Sequence, residues 1–147
     1  MQISDEIKEF LLKQKLGYVA TVSSDNSPNL SPKGTIIAWD SKTIAFANIR
    51  SPNTLKNLEK NSSLEINVVD PILRKGYRFK GKGTIHRNTP IFERILNHYR
   101  NTGVQSPIDA IVLVEVETIQ QVDSPLYDLG YTEEQIKSKW KKHFLDS

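Results

Sequence analysis

Apolar and polar residues alternate along most of the chain, and helical spacing of apolar residues interrupts this alternation in four places. Alternation is typical of strands with one buried face, whereas apolar residues three or four positions apart indicate one face of a helix. The predicted strands cover residues 18–23, about 29–39, 43–48, 64–70, 77–86 and 111–122. The predicted helices have their N-caps at Ser4, Ser51, Thr89 and Thr132.

Residues with special backbone properties mark where these elements begin, end or break. Gly17 is expected to stop the first helix, because glycine favours helix C-termini. Pro32 and Gly34 interrupt the second predicted strand, and since proline cannot donate to a sheet ladder, this strand should bulge or lie at an edge. Thr132 and Gln135 form a capping-box pattern at the start of the last helix.

The order of elements favours an antiparallel fold. Parallel βαβ units need a helix after nearly every strand, but here strands mostly follow strands directly. The pattern therefore predicts a mainly β fold with α, a small antiparallel barrel flanked by helices. We expect one domain over residues 1–147, with residues 132–145 as a helical tail.

Composition narrows the classes of function. The 147 residues are 37% hydrophobic and 25% charged, as in ordinary folded domains, and the net charge of +3 mildly favours an anionic ligand. With no cysteine, thiolate nucleophiles and cysteine-ligated metals are excluded. His86, His98 and His143 show no metal-binding spacing. No apolar run suits a membrane span and the N-terminus lacks a signal-peptide pattern, so we expect a cytoplasmic protein without membrane partners.

One basic aromatic segment suggests an alternative, nucleic-acid binding. Residues 75–79, Lys-Gly-Tyr-Arg-Phe, are similar to strands on which RNA-binding proteins stack bases. However, Arg78 and Lys80 replace the small and apolar residues of that motif. We therefore expect Tyr77 and Phe79 to face the barrel interior, and nucleic acid is the less favoured partner.

The stronger functional signal is a pair of segments, residues 31–35 within a strand and residues 48–54 before a helix. A helix N-terminus offers free N–H groups and the positive end of the helix dipole, which suits a phosphate. Asn53 and Thr54 supply such N–H groups, and Arg50 adds a charge able to bind phosphate with two hydrogen bonds. The alternative is that the second segment merely caps the helix.

In order and spacing, these segments resemble the flavin mononucleotide (FMN)-binding split β-barrels related to pyridoxamine 5′-phosphate oxidase. The matching motifs are Gly17-Tyr-Val-Ala-Thr-Val-Ser23, Leu30-Ser-Pro-Lys-Gly-Thr35, Ile44-Ala-Phe-Ala-Asn48, the segment from Arg50 to Asn57, and Phe79-Lys-Gly81. The resemblance implies a split barrel that forms a homodimer with FMN at the subunit interface. It also implies a flavoprotein that acts as a small flavin-dependent oxidoreductase or electron carrier with a small-molecule redox partner.

The resemblance further implies which residues hold the phosphate. Asn53 and Thr54 match phosphate-binding positions, with Arg50 and Ser51 beside them. Some relatives carry a basic residue where this chain has Asn53, so the phosphate should depend more on Arg50.

Other residues are implied at the ring of the flavin. Those matching the strand along the ribityl chain and ring are Ser31, Pro32, Lys33 and Gly34. Asn48 matches a position at the polar edge of the ring, and Leu126 and Tyr127 resemble tail residues that reach over the flavin from one or the other subunit. A Lys33 charge near the ring would raise the reduction potential. No catalytic acid or base is evident.

An alternative cofactor and one departure from the family's pattern leave the chemistry open. Relatives of this fold also bind a deazaflavin or haem, so the cofactor could differ. Pyridoxamine phosphate oxidases complete their substrate site with a longer C-terminal segment than residues 124–131 and the short basic helix provide. Vitamin synthesis is therefore not expected.

Overall fold

The structure, a computed structural model, describes residues 2–146. This part of the chain contains four α-helices, seven strands and one 3-10 turn. In chain order they are α1 (Asp5–Gln14), β1 (Gly17–Val22), β2 (Pro28–Lys33), β3 (Ile37–Ala38), β4 (Thr43–Asn48), α2 (Pro52–Lys60), β5 (Ser63–Asp70), β6 (Lys75–His86), α3 (Pro90–Asn101), β7 (Ala110–Asp123), the 3-10 turn Pro125–Leu129 and α4 (Glu133–Leu145).

All seven strands form one antiparallel sheet in the order β2-β1-β5-β6-β7-β4-β3. Laid flat, this sheet would place its two edge strands about 29 Å apart. Only residues 34–36 join those edges, and the four steps from Lys33 to Ile37 span at most about 14 Å. The sheet must therefore curl, and it forms the half-barrel that the sequence predicts.

The second predicted strand differs from the expectation. Residues 29–39 do not form one bulged strand but two strands at opposite edges of the sheet, β2 and β3. Gly34 and the next two residues make the crossing between them. The edge position predicted from Pro32 is confirmed, because β2 pairs only with β1.

The end of α1 is also corrected. Gly17 does not terminate this helix; Lys15 does, in a left-handed conformation with φ of 57°. Gly17 instead opens β1, where an added Cβ would lie 2.5 Å from Ile36 Cδ1 and 2.7 Å from Val68 Cγ2. The glycine is needed there for close packing rather than for a helix stop.

Buried side chains form clusters on both faces of the sheet. The larger cluster fills the half-barrel beneath α1 and α2, and the smaller one lies beneath α3. Phe79 is fully buried and Tyr77 is half-buried against Phe10, with ring centroids 5.1 Å apart, while Arg78 and Lys80 are exposed. This confirms the expected inward orientation of the aromatic residues and leaves Phe79 no surface on which a base could stack.

A buried hydrogen bond attaches α3 to the crossing between the two edge strands. The Tyr99 hydroxyl donates to the Thr35 carbonyl at 2.8 Å, and Thr35 Oγ1 accepts from the Ala47 N–H at 2.9 Å. Burial raises the pKa of Tyr99 well above its usual range, so the hydroxyl stays a donor.

We expect Tyr99→Phe to lower the free energy of unfolding by about 1–2 kcal/mol, because the buried Thr35 carbonyl loses its partner. Urea denaturation followed by circular dichroism measures the change. Tyr131→Phe is the matched control, since Tyr131 is 48% exposed, and it should change stability by less than about 0.5 kcal/mol. Equal effects of the two substitutions would contradict the assigned role of the hydrogen bond.

Within residues 2–146, no helix has the length and apolar character needed to cross a bilayer.

Candidate functional site

A pocket of about 260 Å³ opens where the end of β2 meets the connection from β4 to α2. It brings together the two segments that the sequence paired. Its walls are Ser31, Pro32, Lys33, Gly34, Thr35, Ala47, Ile49, Arg50 and Ser51. Six of the ten residues predicted to bind the cofactor thus line one cavity.

Lys33 lies at the centre of this pocket. Its side chain is only 6% exposed, and its ammonium donates to the Ser51 hydroxyl. The Ser51 and Ser31 hydroxyls share a further hydrogen bond of 3.1 Å, and Lys33 Nζ lies 5.8 Å from the centroid of the Phe46 ring. Two hydroxyls and one aromatic ring are thus the near neighbours of a buried cation.

The pocket is positively charged and lacks a paired anion. Neither Lys33 nor Arg50, exposed on the rim, forms an ion pair with any carboxylate among residues 2–146. Burial lowers the pKa of Lys33, and the charge of Asp109 acts in the opposite direction. A buried cation without a carboxylate partner is costly, and an anionic ligand would offset that cost.

Helix α2 begins at the edge of the pocket, but not with the predicted cap. Ser51 makes no side-chain hydrogen bond to the helix, because its hydroxyl is engaged with Lys33 and Ser31. Pro52 occupies the first helical position and has no N–H group. The N–H groups that follow, of Asn53 and Thr54, therefore remain without a side-chain cap at the positive end of the helix.

Two of the predicted residues are buried and do not line the pocket. Thr54 is 1% exposed, and its hydroxyl is buried without a hydrogen-bond partner. Asn48 is 3% exposed; its side-chain N–H donates to Asp109 Oδ1 at 3.0 Å, and its Oδ1 has no partner. Asn53, by contrast, is exposed at the start of α2.

Tyr127 lies elsewhere in the chain and contacts the turn between β5 and β6. Its hydroxyl donates to the Leu73 carbonyl at 2.6 Å, and Lys75 Nζ lies 4.5 Å from its ring centroid. Leu126 belongs to the same 3-10 turn. Within one chain, the structure does not bring these two tail residues to the pocket.

A larger cleft of about 400 Å³ lies across β1, β5 and β6. Its lining charges balance, with Lys80 and Lys82 against Glu65 and Glu117, and Lys80 forms an exposed ion pair of 3.5 Å with Glu65. Among residues 2–146, no three histidine or acidic side chains are placed to hold a metal ion. The pocket around Lys33 is therefore the better candidate for an anionic ligand.

Sequence reasoning did not select the pocket residues Thr35, Ala47 and Ile49, nor Asp109, which contacts Asn48. Asp109 is exposed in the loop before β7, and the sequence around it, Ser-Pro-Ile-Asp, carries no recognisable binding motif. Only the pairing of β4 with β7 brings Asp109 next to Asn48.

Fold and pocket together define a split-barrel protein with a positively charged pocket at one edge of its sheet. The family model for pyridoxamine 5′-phosphate oxidase matches residues 3–123, most of the chain. The chain belongs to this family. No functionally curated protein is significantly similar to it in sequence.

Solved structures agree with this assignment. HupZ from Group A Streptococcus is 30% identical with a TM-score of 0.74, and the match covers 83% of this chain and 95% of HupZ. An FMN-binding protein from Syntrophomonas wolfei is 16% identical with a TM-score of 0.71, over 82% and 86% of the two chains. A protein named F420 reductase is 19% identical with a TM-score of 0.61, over 80% and 98%. The last two show similarity of fold alone.

Proposed function

We propose that this protein is a flavoprotein that binds FMN in the pocket around Lys33 and acts as a small oxidoreductase or electron carrier. The buried charge of Lys33 carries the proposal, because no carboxylate among residues 2–146 pairs with it. Family membership and an FMN-binding protein of the same fold support flavin as the cofactor class.

The residues of the pocket fit the phosphate of FMN. Lys33 supplies a buried ammonium, Arg50 supplies a second cation on the rim, and the hydroxyls of Ser31 and Ser51 supply hydrogen-bond donors. The uncapped start of α2 adds a positive field. The unpartnered, buried hydroxyl of Thr54 lies in the first turn of the same helix.

The size of the pocket supports a homodimer. A volume of about 260 Å³ is below the range of roughly 300–1,000 Å³ usual for pockets that enclose a ligand of cofactor size. Exposed apolar side chains lie at the pocket and on the adjoining strands. Ile49 lines the pocket and is 38% exposed, and Leu30 in β2 and Tyr18 in β1 are 66% and 45% exposed. In this proposal a second copy of the chain covers the ring and contributes tail residues such as Tyr127.

When bound, FMN supplies hydride or electron transfer at its ring. The contribution of the chain is binding and orientation. Arg50 and Lys33 would neutralise the phosphate, the extended backbone of residues 31–33 lies along the pocket wall, and the Asn48 side chain is held by its hydrogen bond to Asp109. Within one chain, the residues that line this pocket include no carboxylate and no histidine.

The visible absorption spectrum of the purified protein, with mass analysis of what denaturation releases, tests the cofactor. We expect flavin bands and released FMN. A deazaflavin or haem spectrum would be compatible with the pocket as the cofactor site, but it would replace FMN as the cofactor and change the chemistry. A colourless protein that takes up no added FMN would refute the proposal, and light scattering in the presence and absence of FMN tests the dimer independently.

Arg50→Ala is expected to weaken FMN binding by about 10- to 30-fold, because one charge-assisted hydrogen bond to phosphate is lost. Riboflavin, which lacks the phosphate, should bind wild type and variant equally. Flavin fluorescence titration measures both affinities, with Arg87→Ala as the control, since Arg87 is also exposed but lies after β6, away from the pocket. An equal loss for riboflavin would contradict the assignment of Arg50 to the phosphate.

A further inference from the structure

A second cavity, of about 110 Å³, adjoins the crossing segment next to the pocket around Lys33. It lies between the C-terminal ends of α1 and α3, whose C-cap residues, Lys15 and Thr102, both line it. Gly34 and Thr35 line this cavity and the pocket around Lys33 alike. The two spaces therefore share a part of their walls.

The cavity is lined mainly by apolar groups. Besides the ring of Tyr99, five aliphatic side chains line it: Leu11, Leu12, Ile36, Ile37 and Val104. Well-packed interiors keep few voids larger than a water molecule, so a space of this size next to a candidate binding pocket calls for an occupant.

The polar side chains around the cavity already have partners. The Tyr99 hydroxyl donates to the Thr35 carbonyl at 2.8 Å, and the Thr102 hydroxyl donates to the carbonyls of His98 and Tyr99, each at 3.1 Å. Within residues 2–146, no side chain that lines the cavity has a buried polar atom lacking a hydrogen bond. Apolar cavities of similar size stay dry and take up molecules such as benzene.

The charges around the cavity favour neither an anion nor a cation. Two helices end here, and the negative ends of their dipoles oppose an anion. The Lys15 side chain opposes a cation. An uncharged ligand meets neither penalty, and this distinguishes the cavity from the positively charged pocket beside it.

Hydrogen bonds through Thr35 connect the two spaces. Tyr99, which is 1% exposed, holds the Thr35 carbonyl from the cavity side. The Thr35 hydroxyl accepts from the Ala47 N–H at 2.9 Å, and Ala47 lines the pocket around Lys33. A ligand that fixes the Tyr99 ring would therefore also fix residues that shape the pocket.

We propose that this cavity is a second binding site, which takes a small uncharged apolar molecule about the size of a benzene ring and thereby strengthens anion binding in the pocket around Lys33. The coupling arises because the first ligand orders Thr35 and Ala47, so the second ligand loses less conformational entropy on binding. The effect on the pocket rests on the proposed function in taking FMN as the anion, whereas the site itself belongs to the protein alone.

Benzene titration of the protein without FMN, followed by NMR of the methyl groups, tests the site. We expect saturable shifts at Leu11, Ile36 and Val104, which Val104→Phe abolishes by filling the cavity. Leu16→Phe is the matched control, since Leu16 is 51% exposed and does not line the cavity, and it should leave the shifts unchanged. Absence of saturable binding to wild type, or full binding to Val104→Phe, would overturn the site.

Charged relatives of the probe test the chemical class of the ligand. Benzoate and benzylammonium each add one charge to the same ring, and toluene is the uncharged molecule of nearest size. We expect both ions to bind at least about ten-fold more weakly than toluene, because an apolar cavity cannot solvate their charge. Equal affinities would overturn the assignment of an uncharged ligand.

FMN affinity measured with and without saturating benzene tests the coupling. We expect FMN to bind wild type about 5-fold more tightly in the presence of benzene, and benzene to gain by the same factor from FMN. Tyr99→Phe keeps the ring that lines the cavity but lacks the hydroxyl that holds Thr35, so it should bind benzene and lose the gain in FMN affinity.

The outcomes separate this proposal from the proposed function. An FMN affinity that benzene does not change would overturn the coupling, and an undiminished gain in Tyr99→Phe would overturn the route through Thr35. If FMN binds in neither condition, the proposed function fails, and the benzene titration still decides whether the cavity is a binding site.

Discussion

Lys33→Met is expected to weaken FMN binding by about 30- to 100-fold and, at the same time, to stabilise the protein without ligand. The loss of affinity corresponds to about 2–3 kcal/mol, the contribution of a charged group that is hydrogen-bonded in a buried site. The gain in stability follows because methionine fills nearly the same volume and carries no charge into the interior.

The pH dependence of stability gives this prediction a second readout. Burial lowers the pKa of Lys33, so between that pKa and the ordinary value of 10.5 the unfolded chain binds more protons than the folded chain. The free energy of unfolding should therefore rise with pH in that window, and below it the buried charge destabilises the fold. Lys33→Met should lose this rise and be more stable at neutral pH, by about 1 kcal/mol or about 3 °C in Tm.

The chain offers a close control for this substitution. Lys82 also donates to a serine hydroxyl, Ser63 Oγ at 2.7 Å, but it is exposed. Lys82→Met should change neither FMN affinity nor Tm appreciably. If Lys33→Met bound FMN as tightly as wild type, Lys33 would have no part in holding the cofactor.

Gly81→Ala is expected to destabilise the protein by at least about 3 kcal/mol, a fall in Tm of about 10 °C. A Cβ on Gly81 would lie 2.2 Å from the Glu115 carbonyl oxygen, and no side-chain rotation can relieve a clash with backbone. The register between β6 and β7 shifts between Lys80 and Gly81, so the glycine stands where the two longest strands bend together.

Thermal unfolding measured by calorimetry tests this, with Gly34→Ala as the matched control. A Cβ on Gly34 meets nothing closer than the Lys15 carbonyl oxygen at 3.6 Å, and the residue has no positive φ. Its Tm should stay within about 2 °C of the wild-type value. Similar losses in both variants would show that glycine-to-alanine exchange itself, rather than the bend, governs stability.

Local sequence signals predicted the elements well wherever a few neighbouring residues decide the outcome. Ser4 and Thr89 cap their helices as expected, and the capping box of Thr132 and Gln135 is present in full. These contacts lie within three residues along the chain, so no knowledge of the fold was needed.

The errors all involve partners distant in sequence. The split of residues 29–39 into two edge strands follows from the closure of the sheet, which no local pattern reveals. Ser51 resembles a helix cap, but its hydroxyl bonds Lys33, eighteen residues earlier. Lys15 ends the first helix in place of Gly17, which is needed in β1 for close packing against Val68.

The sequence predicted those parts of the candidate site that lie at the ends of predicted strands, but not the contacts that depend on distant parts of the chain. The two segments meet as expected, because each lies at the end of a strand whose pairing the alternation indicated. The placement of Tyr127 over the flavin depends on the resemblance alone. Within one chain Tyr127 contacts Leu73, and its place at the flavin stays a prediction. Asp109 could not be found, since a single aspartate in a loop reaches Asn48 only when β7 pairs with β4.

The two edge strands of the curled sheet, β2 and β3, affect how readily the protein aggregates. An open sheet exposes two rows of unpaired backbone groups that can recruit strands from other molecules and start aggregation. Here one edge, β2, carries Pro28 and Pro32, neither of which can donate a hydrogen bond, and the other edge, β3, is only two residues long. Both edges of the curled sheet therefore have few backbone groups with which a strand from another molecule could pair.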